Sequence, residues 1–201
     1  RGLLDLLQMG NLEPEEEREF ISRIQGETAR IHHTIRDLLD FSRSDGGPTS
    51  RIESSSDLAE VVSDTIKLVD RQTRFRDIDL TLGLDDGLPR VRGDGERIRQ
   101  LLLNLLFNAA DALGGEGSIE LRATNGGGLV RLVVEDDGPG IDAAILDQVF
   151  DPFVTTKPAG QGTGLGLAVC YTIVERLGGS IEARNLPTGG ACFEVLLPVA
   201  S

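Results

Sequence analysis

The chain has 201 residues, 39% of them apolar, which is enough for one well-buried domain plus a smaller element and argues against a disordered chain. Its formal net charge of −13 argues against a nucleic-acid or anionic-membrane surface, because both need clustered Lys and Arg. A protein partner is expected instead, with no nucleic acid and no membrane contact.

In chain order, Leu3, Leu4, Leu6 and Leu7 read as the last turns of one helix. Pro14 behind Glu13 opens a second, since proline suits a first helical turn and acids suit its positive end. Phe20, Ile24, Ile31, Ile35, Leu38 and Ser42 then recur at steps of three, four and seven residues and form one largely apolar seam. A lone hairpin would expose that seam, so a second copy is expected to complete a four-helix bundle, making a homodimer. Gly46, Gly47 and Pro48 interrupt the pattern. They divide the chain into a hairpin over residues 1–44, a linker over 45–50 and a second domain over 51–201.

The second domain alternates in period. Residues 58–69 predict a helix, 78–84 a strand and 96–113 a long helix. Residues 118–124 and 129–135 predict a hairpin pair about Asn125-Gly126-Gly127-Gly128. A helix over about 164–177 and strands over 180–183 and 192–197 follow. Helices mixed with antiparallel hairpins indicate an α+β, two-layer sandwich. Cys170 and Cys192 sit in apolar runs without metal or disulfide spacing and are expected to be buried thiols of a reducing compartment. No apolar run is long enough for a membrane span and no signal peptide is visible.

Four segments carry chemistry. On the long helix, Arg97, Gln100, Asn104, Asn108 and Asp111 form a polar stripe expected to face a pocket or solvent, opposite Ile98, Leu101, Leu102, Leu105, Ala109 and Leu113. Asparagine is a poor helix former, and its amide oxygen is a hard, neutral ligand able to complete a Mg²⁺ shell. Asp136 ends an apolar strand and can accept the amine of adenine while Gly138 and Gly140 admit the ring. Taken alone, Asp136-Asp137-Gly138-Pro139-Gly140 is equally compatible with a plain turn. Gly162-Thr163-Gly164-Leu165-Gly166 runs into a helix whose first N–H groups suit phosphates. No Lys-Ser/Thr pair follows, so it is not a Walker loop. The segment between the two glycine clusters has little periodicity and suggests a lid, in which Lys157 either reaches terminal phosphates or stands idle in solvent.

Together Asn104 to Asn108, Asp136 to Gly140, Phe150-Asp151-Pro152-Phe153 and Gly162 to Gly166 resemble the N box, first glycine box, F box and second glycine box of two-component sensor histidine kinases. Phe153-Val154-Thr155-Thr156-Lys157 resembles their nitrogen-regulation-type subgroup, and Asp37-Leu38-Leu39-Asp40-Phe41-Ser42-Arg43 the end of their second hairpin helix. The resemblance implies the Bergerat-type ATP-binding fold shared with gyrase, MutL and the ATP-driven heat-shock chaperones. It implies ATP and Mg²⁺ as cofactors, Asp136 on adenine, Asn108 on magnesium, and Gly162, Gly164 and Gly166 as the phosphate-side hinge. Asn104, Gly138, Gly140, Ile141, Phe153, Thr156, Lys157, Thr163 and Leu165 complete the implied nucleotide site.

The function implied is transfer of the γ-phosphoryl of MgATP to a histidine and thence to a response-regulator receiver domain. A cytoplasmic setting is implied, with a parent protein that can be membrane-anchored. The family's acceptor box, of the form His-Glu-Ile-Arg-Asn-Pro-Leu, is not present. His33-Thr34-Ile35-Arg36-Asp37-Leu38-Leu39 imitates it without the acid or the proline. The acceptor is therefore expected upstream of Arg1, with no catalytic residue in the chain itself, and His32 and His33 are expected to be bundle residues. Two alternatives stand beside the kinase: an ATP-loaded dimerising module that signals without chemistry, and a gyrase- or MutL-like ATPase. The second is disfavoured because Asn104 occupies the place of that group's glutamate base and cannot take a proton from water.

Overall fold

A computed structural model describes residues 54–157 and 162–200. The expected hairpin over 1–44, the linker over 45–50, His32 and His33 lie outside the described residues. The described elements are β1 (Ser55–Ser56), α1 (Leu58–Val69), β2 (Asp77–Leu84), β3 (Val91–Arg92), α2 (Gly95–Leu113), β4 (Glu116–Asn125), β5 (Leu129–Asp136), α3 (Gly166–Leu177), β6 (Ser180–Asn185) and β7 (Ala191–Pro198). Short 3₁₀ turns at Thr73–Phe75 and Leu146–Gln148 complete them.

Five strands form one sheet in the order β2-β4-β5-β7-β6. Period-two burial explains why helices cover one face only. Val130, Leu132 and Val134 of β5 and Ala191, Phe193, Val195 and Leu197 of β7 point into the core. The alternate positions carry an ion-pair ladder that joins Arg122 to Glu135 at 2.7 Å and Arg131 to Glu194 at 2.6 Å. Such partly exposed pairs stabilise little, and the apolar face carries most of the energy.

The sheet is mixed, with β4 and β5 antiparallel as the predicted hairpin requires. β2 runs parallel to β4, with Asp77 opposite Glu116, and α2 makes the crossover between them. A parallel neighbour needs such a crossover, and α2 supplies it. A small second sheet pairs β1 with β3, Ser55 opposite Arg92, which two-residue strands leave invisible in the sequence.

Each helix is specified locally. Asp57 and Asp94 cap α1 and α2 by accepting the N–H groups of Glu60 and Glu96, both at 3.1 Å. Gly114 and Gly178 end α2 and α3 in the left-handed conformation. α2 is the spine of the domain: Ile98, Leu101, Leu102, Leu105, Leu106 and Ala109 have no exposed surface. Each such leucine or isoleucine contributes roughly 1.5–3 kcal/mol by burial. Among the described residues Cys170 and Cys192 form no disulfide and both are buried, as expected. Cys192 lies on the ladder face of β7, and burial pushes its thiol up to about 11.

Candidate nucleotide site

Three segments converge on the C-terminal half of α2. The loop after β5 abuts its last turn: a Cβ on Gly138 would lie 3.5 Å from the Leu113 side chain and 3.7 Å from the Ala112 backbone. The F-box segment reaches Asp111, which Lys157 contacts at 2.8 Å. The start of α3 is tied to Asn104, whose Nδ2 donates to the Gly166 carbonyl at 3.1 Å. Residues separated by up to 62 positions are thereby assembled along one helix.

Asp136 is 4% exposed. Its Oδ1 accepts the N–H of Gly138 at 3.0 Å and of Ala191 at 3.4 Å. Its Oδ2 has no hydrogen-bond partner among the described residues. Burial pushes this carboxyl above the ordinary carboxylate value, and the two N–H groups oppose the shift. The neighbouring Asp137 behaves oppositely. The Ser118 N–H, 2.7 Å from its Oδ1, holds its carboxyl below the ordinary value.

Sequence reasoning passed over Asn185 and Gly190. Asn185, the last residue of β6, accepts the Ile141 N–H at 2.6 Å and donates to the Ile141 carbonyl at 2.8 Å, clamping both sides of one residue in the first glycine loop. Gly190 packs directly against Asp136; a Cβ there would fall 1.8 Å from the Asp136 carbonyl oxygen. Both lie in Asn185-Leu186-Pro187-Thr188-Gly189-Gly190, which reads as an ordinary turn, and nothing local marks its contact with β5.

Asn104 and Asn108 differ in their surroundings although one turn apart. Asn104 is buried and its amide is engaged with Gly166 rather than facing solvent. Its side chain joins α2 to α3 instead. Asn108 is half-buried and has no hydrogen-bond partner among the described residues.

On the phosphate side, α3 begins at Gly166 rather than at residue 164, and Leu165 at its N-cap gives no side-chain cap, in contrast to α1 and α2. The N–H groups of its first turn are therefore open to an anion. Thr163 Oγ1 accepts the Leu165 N–H at 3.2 Å and shapes the approach to the helix. A Cβ on Gly162 would meet Thr155 Oγ1 at 2.7 Å, so the glycine lets the two segments touch. Thr155, not Thr156, makes the local bond, accepting the Lys157 N–H at 3.1 Å; Thr156 is exposed. Phe153 is 64% exposed. Lys157 is paired with Asp111.

A family profile described as histidine kinase-, DNA gyrase B- and HSP90-like ATPase matches residues 93–201. A second, described as the His Kinase A (phospho-acceptor) domain, matches residues 1–47. The chain is 38% identical over 173 residues to the sensor histidine kinase ZraS of Escherichia coli O157:H7, an alignment covering 86% of this chain and 36% of that protein. It thus spans about a third of the length of that relative. Among solved structures, the catalytic domain of histidine kinase ThkA is 34% identical with a TM-score of 0.66, covering 73% of this chain and 95% of that one. ThkA in complex with the response regulator protein TrrA is 27% identical with a TM-score of 0.75, covering 98% of this chain and 56% of that one.

Proposed function

Because the chain belongs to the histidine kinase-, DNA gyrase B- and HSP90-like ATPase family and carries the catalytic core of a two-component sensor histidine kinase, we propose that it binds MgATP and transfers the γ-phosphoryl to a histidine for relay to a response-regulator aspartate. The observation that carries the nucleotide reading is Asp136. A buried carboxylate, held by two backbone donors on one oxygen and open on the other, is built to accept one directed N–H, such as the exocyclic amine of adenine.

The geometry supports the remaining proposed roles. Gly138 and Gly140 let the backbone approach the base, with Ile141 beside it, fixed by Asn185. The uncapped start of α3, entered through Gly162, Thr163, Gly164 and Leu165, offers N–H groups to the phosphates. Magnesium fits the donor set. Among the described residues no cluster of three or more His, Cys, Asp or Glu could hold a metal unaided, whereas Asn108 presents an unengaged amide oxygen. Asn108 is therefore assigned to the ion, whose remaining ligands would be phosphate oxygens and water. Bound there, Mg²⁺ would neutralise phosphate charge. The chain's own residues supply orientation and water exclusion.

Asn104 separates the kinase from a hydrolase, because an amide already donating to Gly166 is no general base. The domain assignment proposed is a dimerising, phosphotransfer-type hairpin over residues 1–44, a linker over 45–50 and the catalytic domain over 51–201. The complex named for ThkA supports a receiver domain as partner. Among the described residues no helix is long and apolar enough to cross a membrane.

The test is transfer in trans. Incubated with γ-labelled ATP and a separately supplied acceptor-helix protein, the chain is expected to place acid-labile phosphate on that acceptor. Release of inorganic phosphate with an unlabelled acceptor would instead identify an ATPase.

A further inference from the structure

The ion pairs outside the sheet ladder include one group on α2, the helix that carries Asn108. Asp111 stands one helical turn beyond Asn108 on α2, on the same side of the helix. Its Oδ2 lies 2.8 Å from Lys157 Nζ and its Oδ1 lies 3.3 Å from Arg74 Nη1. Arg74 is itself held, stacking 4.7 Å above the Phe107 ring. One carboxylate therefore joins two cations that come from separate segments, the 3₁₀ turn after α1 and the segment just after the F box.

We propose that Asp111 is a positioning residue that holds the Lys157 ammonium at the terminal-phosphate end of the nucleotide site. The inference rests on the MgATP reading above. A lysine on an irregular segment has a flexible four-carbon stem and loses much rotamer freedom when it engages a phosphate. The carboxylate meets that cost in advance by keeping Nζ beside α2, near the residue assigned to magnesium. An ammonium has three donors, so the bond to Asp111 leaves donors for a phosphate. A carboxylate facing a triphosphate would by itself repel it. Here two cations share one anion, so the group of three is net positive and the phosphate end stays attractive. Arg74 fixes Asp111 from the far side and directs Oδ2 toward Lys157.

The experiment is a double-mutant cycle on the whole chain, with MgATP and MgADP affinities measured by calorimetry. Lys157→Gln is expected to weaken MgATP by about tenfold or more, the scale of a charge-assisted hydrogen bond, and to leave MgADP nearly unchanged. Asp111→Asn is expected to weaken MgATP by about two- to fivefold with MgADP again unchanged, and to have no further effect in the Lys157→Gln background. Asp111→Glu should recover part of the loss, which a merely structural residue would not do selectively for ATP. Equal weakening of ATP and ADP by Asp111→Asn, tighter ATP binding, or an undiminished effect in the Lys157→Gln background would each overturn the proposal while leaving the nucleotide reading intact. Failure of the unaltered chain to bind MgATP would overturn both.

Discussion

Phe153 and Gly164 meet backbone to backbone: the Phe153 N–H donates to the Gly164 carbonyl at 2.9 Å, and both residues are left-handed, with φ of 68° and 65°. Phe153 is the one non-glycine residue with positive φ among those described. The contact joins the F box to the second glycine box and fixes where α3 begins.

A methyl group on Gly164 would fall 2.4 Å from the Phe153 carbonyl carbon, a backbone atom that cannot swing aside. Gly164→Ala is therefore expected to cost more than about 2 kcal/mol, combining left-handed strain with displacement of the F box. Gly166→Ala meets nothing within 4 Å and is expected to be near neutral for stability. Thermal denaturation of the two variants side by side checks this; equal melting temperatures would remove the contact from the account.

Asp136→Asn should weaken adenine-nucleotide binding by about 1–3 kcal/mol, because the amide nitrogen offers a donor where a donor must be accepted. Unchanged affinity by calorimetry would refute the assignment.

The same substitution has a stability signature. Burial raises the Asp136 carboxyl, so the native state holds its proton more tightly than the unfolded chain does. Its contribution to stability is therefore greatest below the ordinary carboxylate value, and falls as pH rises through the raised native value. An asparagine side chain in its place would keep the bonds from Gly138 and Ala191 without carrying a buried charge. The nucleotide-free variant is expected to be more stable than the unaltered chain at neutral pH, and the gain should vanish in acid. Denaturant titrations at several pH values measure it.

Asn108→Ala should weaken nucleotide binding more in the presence of magnesium than in chelator, since only the metal-bound state loses a ligand. Equal weakening in both conditions would indicate a direct contact with nucleotide instead.

Asn185→Ala removes two hydrogen bonds that hold Ile141. Because Asn185 is exposed, the fold is expected to lose little, about 1 kcal/mol, while nucleotide affinity falls as the first glycine loop loosens. Asn185→Asp keeps the acceptor for the Ile141 N–H and should lie between the two. A large drop in melting temperature without loss of affinity would make Asn185 a purely structural residue.

Periodicity in the sequence was enough to place α1, α2, α3 and the strands of the main sheet within a few residues, because amphipathic patterns of 3.6 and 2 report which face is buried. It also marked the chemistry that sits in contiguous segments: Asp136 at a strand end, Asn108 on a helix, glycines before α3. Contacts between distant segments were decided only in the folded chain. The parallel pairing of β2 with β4 depends on the crossover through α2, which leaves no signal in either strand. Asn104 and Asn108 are the same residue type on the same stripe, yet proximity to Gly166 engages one amide and leaves the other open. Asn185 and Gly190 look like turn residues until β6 and β7 bring them against the loop after β5, and Lys157 acquires its partner only where the segment after the F box meets Asp111. A local pattern encodes burial and backbone preference. The partner of a polar group is set by which segments the buried core forces together.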